Sequence, residues 1–318
     1  MTFFAILLVL LIEQVQPLRA DNPVHAALRT LAGRMEARFN AGLEQHGRVA
    51  WIVTMAIVMV PTAIVYWICA HLGFLAVFIW TTLIAYLTLG FRHYSHYFSS
   101  IQIALSSGDE ESARSLLAEW TGEDTSTLDS SELSRIAVET ALVTSHRNVF
   151  GVFFWLLLPV GPAFAVMYRV AEYLARAWND PEHLKNEAFG RFAKRAFYWI
   201  DWIPARLTAI AFAVVGNFED AIYAWRNFAH RWPDEAVGVI LSAGGGALGV
   251  RLGTPVVAAA NILPADASMV DSASVETEGP PGDAPQPRTL QSAVGLVWRA
   301  LLLWMLMLLL VSIALWVG

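Results

Sequence analysis

The chain reads as all-α: a polytopic helical integral membrane protein with amphipathic cytoplasmic helices and re-entrant segments. Three observations point there. Hydrophobic residues make up 56% of the 318 residues and charged ones 15%, against about 25% charged in a soluble domain. Residues 50–69, 72–91, 149–168 and 300–318 carry no charge at all, and roughly 20 apolar residues cross a hydrocarbon core as a helix. The stretches between these runs space their apolar residues at helical intervals.

Residues 1–12 form a shorter apolar run, followed by Glu13, Pro17 and Arg19. With neither a basic n-region nor a small-residue cleavage site, this segment is expected to be a retained first membrane helix. Glu13 then either faces protein as a functional intramembrane acid or sits at the interface. Residues 26–43 place Leu28, Leu31, Met35 and Phe39 at helical spacing. Residues 50–69 and 72–91 form a hairpin turning near Ala70 and His71. In 101–120, Asp109, Glu110 and Glu111 lie near a helix start, where acids favour the dipole. Asp129-Ser130-Ser131-Glu132 has the spacing of a capping box.

The run 149–168 is interrupted by Pro159, Gly161 and Pro162, which break helices, so a broken or re-entrant segment is expected. Residues 207–218 are too short to cross alone and read as a second dipping segment. Residues 265–290 turn to Asp, Ser, Glu, Gly and Pro, a composition that buries too little apolar area to order itself. The expected organisation is a membrane domain over 1–264, a disordered linker over 265–290 and a last transmembrane helix over 291–318.

Arg19, Arg29, Arg34, Arg38 and Arg48 place the first polar stretch in the cytoplasm by the positive-inside rule. The stretch 92–148 returns there, and a re-entrant 149–168 keeps the basic arm 169–206 inside as well. The expected location is a bacterial inner membrane, multi-pass, with the main loops cytoplasmic and the bilayer as partner. A net charge of −6 argues against a nucleic-acid partner. The single cysteine, Cys69, excludes an intrachain disulfide, and no metal constellation is visible. Gly244-Gly245-Gly246-Ala247-Leu248-Gly249 satisfies a GxGxxG pattern but lacks the strand–helix repeats of a dinucleotide fold. Close helix packing or a tight turn is the expected use of these glycines.

The stretch 122–155 carries most of the functional signal. Glu123, Asp124, Asp129 and Glu132 precede Arg135 and Glu139, and Ser145-His146-Arg147-Asn148 abuts the apolar run. Polar groups at the lip of a membrane segment are costly without a role. They read either as a ligand site or as an interfacial anchor with Arg147 snorkelling to headgroups.

Several blocks, in order, resemble the CobD/CbiB family of membrane proteins. They are Ala104-Leu105, Ala113-Arg114, Gly122-Glu123-Asp124-Thr125, Leu128-Asp129, Glu132-Leu133, Arg135 and Glu139-Thr140, then Phe154-Trp155, Asp201-Trp202-Ile203-Pro204-Ala205-Arg206-Leu207-Thr208 and Ala247-Leu248-Gly249-Val250-Arg251-Leu252-Gly253. Asn22-Pro23-Val24 resembles the family's N-terminal His-Pro-Val. The resemblance implies an inner-membrane enzyme of cobalamin synthesis that joins adenosylcobyric acid to aminopropanol phosphate, using ATP and a divalent metal. Such chemistry wants carboxylates to hold metal against phosphate oxygens and basic groups to clamp the anions.

The chain departs from the family pattern in that region. Glu123-Asp124-Thr125 replaces Arg-Asp-Thr, Leu142-Val143-Thr144 replaces Ala-Glu-Asn, and Arg147-Asn148 replaces Asp-Gly. The Ser-Pro-Asn ahead of the glycine block is absent, with Trp232-Pro233-Asp234-Glu235 in its vicinity. The favoured expectation is therefore an AmpE-like branch, signalling or accessory in role, holding no metal at an eroded amide-forming site. The alternative is an active cobalamin-pathway enzyme that draws carboxylates from Glu123, Asp129 or Asp234 and uses ATP and Mg. A purely structural scaffold is the third reading. Asp124, Thr125, Glu139, His146, Arg147, Asp201, Arg206 and Arg251 are the ligand-binding candidates. They are expected at the cytoplasmic membrane face, facing an anionic small molecule suited to arginine forks. Ion pairing such as Glu139 with Arg206 would instead retain them for structure alone.

Overall fold

A computed structural model describes residues 2–15, 23–180, 187–253 and 280–317. Among the described residues the chain is helical, with no strand beyond one isolated bridge between Val250 and Asp283. It divides into two compact units. The first comprises Met1–His96, Thr144–Thr208 and Leu301–Gly318, the second Tyr97–Val143 and Ala209–Ala300.

The first unit opens with α1 (Thr2–Val15), α2 (Pro23–Phe39), α3 (Glu44–Leu72) and α4 (Phe74–Thr88). Gly73 separates α3 from α4 at φ +117°, a conformation that side chains rarely adopt. α4 packs on both α1 and α3, and α2 packs on α3. The threonines of these apolar helices hide their hydroxyls in their own backbone. Thr54 donates to the Ala50 carbonyl at 2.7 Å and Thr82 to that of Phe78 at 2.8 Å, which satisfies them where water is absent. Glu13, at the end of α1, is buried. Ile52, Ile64 and Trp67 of α3 stay exposed, as a lipid-facing helix requires.

The expected break in 149–168 is present. A π-helical turn (His146–Phe150) leads into α8 (Gly151–Leu156), and the chain reverses through Val160 at φ 59° into α9 (Gly161–Ala177). α8 packs against α9. Pro162 begins α9, where its missing N–H is not needed, and a Cβ on Gly161 would overlap the Leu156 carbonyl. α9 also packs on α3 and α4.

Residues 207–218 are not the separate dipping segment expected. Those up to Val215 complete one continuous helix, α10 (Glu187–Val215), and Phe218 opens the next. Among the described residues three helices are long and apolar enough to cross a membrane: α3, α10 and α13 (Pro287–Val317).

The second unit is built from capped amphipathic helices. It takes in most of α5 (Phe91–Ser106), then α6 (Glu110–Thr121) and most of α7 (Ser130–Ser145). Asp109 caps α6 by accepting the Ser112 N–H at 3.0 Å, and Gly122 ends it in the left-handed region at φ 76°. The capping box is complete: Asp129 accepts the Glu132 N–H at 2.8 Å while Glu132 accepts the Asp129 N–H at 3.1 Å. α11 (Phe218–Phe228) lies against α12 (Glu235–Leu248), whose N-terminus Asp234 caps.

The glycine block serves close packing. A Cβ on Gly244 would stand 2.6 Å from Leu142 Cδ1, and one on Gly246 would overlap the Asp220 carbonyl of α11. Gly249 ends α12 at φ 68°. Of the stretch 265–290, residues 265–279 lie outside the described residues. Beyond them, Ser131 Oγ donates to the Pro285 carbonyl at 2.8 Å, and Arg251 N–H to that of Asp283 at 2.8 Å.

Single cysteines at Ser115 and Glu219, in a Cys69-free background, are expected to react with an impermeant thiol reagent from the same side of the membrane. Both positions are exposed and belong to one compact unit. Reaction from opposite sides would mean that the bilayer separates the two stretches.

Candidate functional site

The eight candidate residues divide evenly: His146, Arg147, Asp201 and Arg206 lie in the first unit, Asp124, Thr125, Glu139 and Arg251 in the second.

In the first unit the π-helical turn after α7 swings His146 onto α10. Such single turns insert one extra residue and often accompany functional positions. His146 Nε2 lies 2.8 Å from Asp201 Oδ1, and Nδ1 lies 2.9 Å from Thr208 Oγ1. Tyr168 of α9 donates its hydroxyl to the same Asp201 oxygen at 2.9 Å. His146 and Tyr168 are 0% exposed and Asp201 1%. Gly151 makes room for the Tyr168 hydroxyl, which a Cβ there would overlap. Asp201 Oδ2 is buried with no hydrogen-bond partner among the described residues.

Two arginines neighbour the network, and each lies over an aromatic ring. Arg147 lies over the Phe197 ring at 5.8 Å, and Arg206 over Trp202 at 3.8 Å while donating to the Trp202 carbonyl at 3.0 Å. This network is a closed polar staple joining the π turn, α9 and α10. Its groups are sealed from solvent, which suits positioning rather than turnover.

In the second unit Asp124 Oδ1 accepts the Ser126 N–H at 3.0 Å. That bond holds its carboxyl below the usual carboxylate range. Thr125 is buried and donates to the Arg114 carbonyl at 2.8 Å. Arg114 in turn donates through Nε to the Leu128 carbonyl at 2.9 Å and pairs with Glu110 at 2.8 Å. The loop carrying Asp124 and Thr125 is thus tied to α6.

Glu139 does something different. It accepts from Arg135 at 3.1 Å and from the Gly253 N–H at 2.7 Å, joining α7 to the turn that carries Arg251. Arg251 itself donates to the Gly282 carbonyl at 3.3 Å. Burial pushes the Glu139 carboxyl above the usual carboxylate range. Arg135 and the Gly253 N–H oppose that shift, and Glu123 adds to it as a like charge.

A raised folded value has a definite sign in stability. The carboxyl contributes stability that is fully present below its unfolded value and is lost as pH rises through the folded one. Glu139→Gln, which keeps an acceptor for Gly253, is therefore expected to reduce the loss of stability as pH rises above the ordinary carboxylate range. Unfolding midpoints of the two proteins across that rise in pH check it; parallel curves would contradict it.

Among the described residues no three His, Cys, Asp or Glu side chains converge as a closed metal cage. Mg²⁺ held with substrate phosphates needs only one or two carboxylates. Of the three alternative carboxylates, Asp129 and Asp234 are spent on helix caps, whereas Glu123 is exposed and close enough to raise Glu139. Glu123 and Glu139 act on one another as like charges, while the Glu139 carboxylate is already held by Arg135 and the Gly253 N–H. The ligand-binding candidates left out Tyr168, Thr208 and Arg135, although Arg135 and Thr208 lie in the blocks that resemble the family. Thr208 lies seven residues from Asp201 on one helix face, and Arg135 has the i,i+4 spacing of an ion pair with Glu139.

The family model described as CobD/Cbib protein matches residues 2–277. The chain belongs to the CobD/CbiB family. Its similarity to the cobalamin biosynthesis protein CobD of Stutzerimonas stutzeri is 30% identity over 316 residues, covering 96% of this chain and 97% of that protein. The CobD of Chromobacterium violaceum is 32% identical over 209 residues, 65% of each chain. That of Mycobacterium tuberculosis is 33% identical over 154 residues, 46% of this chain and 48% of that protein. No solved structure matches. The CobD/CbiB match takes in all eight candidate residues, whose positions lie between 124 and 251.

Proposed function

We propose that the protein works in cobalamin biosynthesis as an inner-membrane enzyme that joins adenosylcobyric acid to aminopropanol phosphate. The observation that carries this reading is the similarity to a cobalamin biosynthesis protein across 96% of the chain, which spans every element that positions Glu139 and Asp201. A divalent ion with ATP would supply charge neutralisation at the phosphate and activation of the corrin carboxyl. Glu123 and Glu139 would hold that ion. Arg135 and the Gly253 N–H orient the Glu139 carboxylate, and the second unit lies on the cytoplasmic side, where its substrates are.

A second reading, an AmpE-like accessory or signalling protein without amide formation, is supported by one specific feature. Val143 and Arg147 stand where the family resemblance expects carboxylates, and Asp201 is locked into a buried staple.

Growth of a strain lacking its cobinamide-phosphate synthase, fed cobyric acid as the only corrin source, separates the two. Cobalamin-dependent growth on expressing this chain supports the first. Absence of growth, with the protein inserted at normal levels, supports the second.

A further inference from the structure

We propose that the first unit holds a second site, for a phosphate ester, in a cavity of about 400 Å³ between α2, α3, α4 and α9. It shares no residue with the candidate site above and goes beyond the proposed activity. Three guanidinium groups line it, Arg29 from α2 with Arg169 and Arg176 from α9, against one carboxylate, Glu172. Glu172 is 8% exposed and lies 3.9 Å from both Arg169 and Arg176, too far for a hydrogen bond. The two arginines are attracted to it but keep donors to spare. Arg169 is aimed by a 2.6 Å bond to Asn148 Oδ1. The Arg176 side chain is 71% exposed.

Much of the remaining lining is apolar: Val58 from α3, Ile84 and Leu87 from α4, and Val166 and Val170 beside the arginines on α9. The hydroxyls of Thr62 and Thr88 are already given to the Val58 and Ile84 carbonyls at 2.7 and 2.8 Å. A ligand fitting this cavity has an anionic head for the arginine forks and a small apolar part for the aliphatic wall. Guanidinium groups match phosphate oxygens bidentately. The cluster also faces Val58 and Thr62, midway along α3, a helix able to cross a membrane.

The full-length protein in phosphatidylcholine nanodiscs is titrated separately with a short-chain phosphatidylglycerol and with sn-glycerol 3-phosphate. Binding is followed by native mass spectrometry and by the shift in unfolding temperature. Wild type is expected to bind at least one of the two, and Arg29→Gln/Arg176→Gln to bind it weaker by roughly tenfold per guanidinium removed. Both side chains are exposed, so the variant's ligand-free unfolding temperature is expected to match wild type. Arg176→Gln alone carries the comparison if the double variant fails to insert. Binding of phosphatidylglycerol only assigns a lipid headgroup; binding of glycerol 3-phosphate as well assigns a soluble ester. Failure of wild type to bind either at millimolar concentration, or equal binding by the variant, overturns the proposal. Neither readout depends on cobalamin synthesis.

Discussion

Asp201→Ala is expected to cost about 3 kcal/mol of stability or more, enough to strip most of the protein from the membrane. Asp201 Oδ1 is the shared acceptor of Tyr168 and His146, in a region where all three are essentially unexposed. Its removal takes the acceptor from the Tyr168 hydroxyl and the partner from His146 Nε2, leaving His146 only its Nδ1 contact with Thr208. Asp201→Asn keeps one acceptor and should fall between Ala and wild type. Replacing both partners, Asp201→Leu with His146→Leu, should recover part of the loss, since apolar pairs often match buried polar ones. Membrane levels and denaturation midpoints of the series check this. A single Asp201→Ala within about 0.5 kcal/mol of wild type would mean that the staple does not hold the π turn, α9 and α10 together.

Glu139→Gln is expected to reduce amide formation by about a hundredfold or more while leaving membrane levels normal. The carboxylate is held by Arg135 and the Gly253 N–H. Glutamine preserves the shape and the Gly253 bond but removes the charge that the proposed phosphate-bound cation would need. Glu123→Gln should lower activity less, because that side chain is exposed and more weakly held. Rates at saturating and limiting Mg²⁺ distinguish a metal role from a packing role: only a metal role raises the Mg²⁺ requirement. An unchanged requirement in Glu139→Gln would leave Glu139 a structural link between α7 and the 249–253 turn.

Local signals in the sequence translated directly into structure. Uncharged runs gave α3, α4 and α13; Asp129 with Glu132 closed its capping box; Pro159 and Pro162 broke the helix; and the glycine block became a packing surface. Each of these depends on residues within a few positions of one another. The misreading of 207–218 has a physical cause. Asp201 and Arg206 interrupt the apolar count, so a window average ends the segment there. In the folded chain Asp201 is hydrogen-bonded by neighbours from distant segments, His146 and Tyr168, while Arg206 lies on Trp202, and α10 continues unbroken.

The grouping of the candidate residues was equally out of reach. Which helices assemble into each unit depends on pairings such as α3 with α9 and α11 with α12, and no local spacing encodes them. The Glu139–Gly253 bond spans 114 residues and has no local signature, although the Arg135–Glu139 spacing beside it does. The charge changes at Glu123, Val143 and Arg147 suggested an eroded site. In the structure Glu123 adds a like charge to the buried Glu139, and Arg147 lies over the Phe197 ring.

Purified protein mixed with adenosylcobyric acid, aminopropanol phosphate, ATP and Mg²⁺ tests the proposed activity most directly, with the corrinoid products separated and weighed by mass spectrometry. The account predicts the amide, adenosylcobinamide phosphate, formed together with ATP consumption and dependent on both organic substrates. Recovery of unreacted adenosylcobyric acid from folded, membrane-competent protein would contradict it.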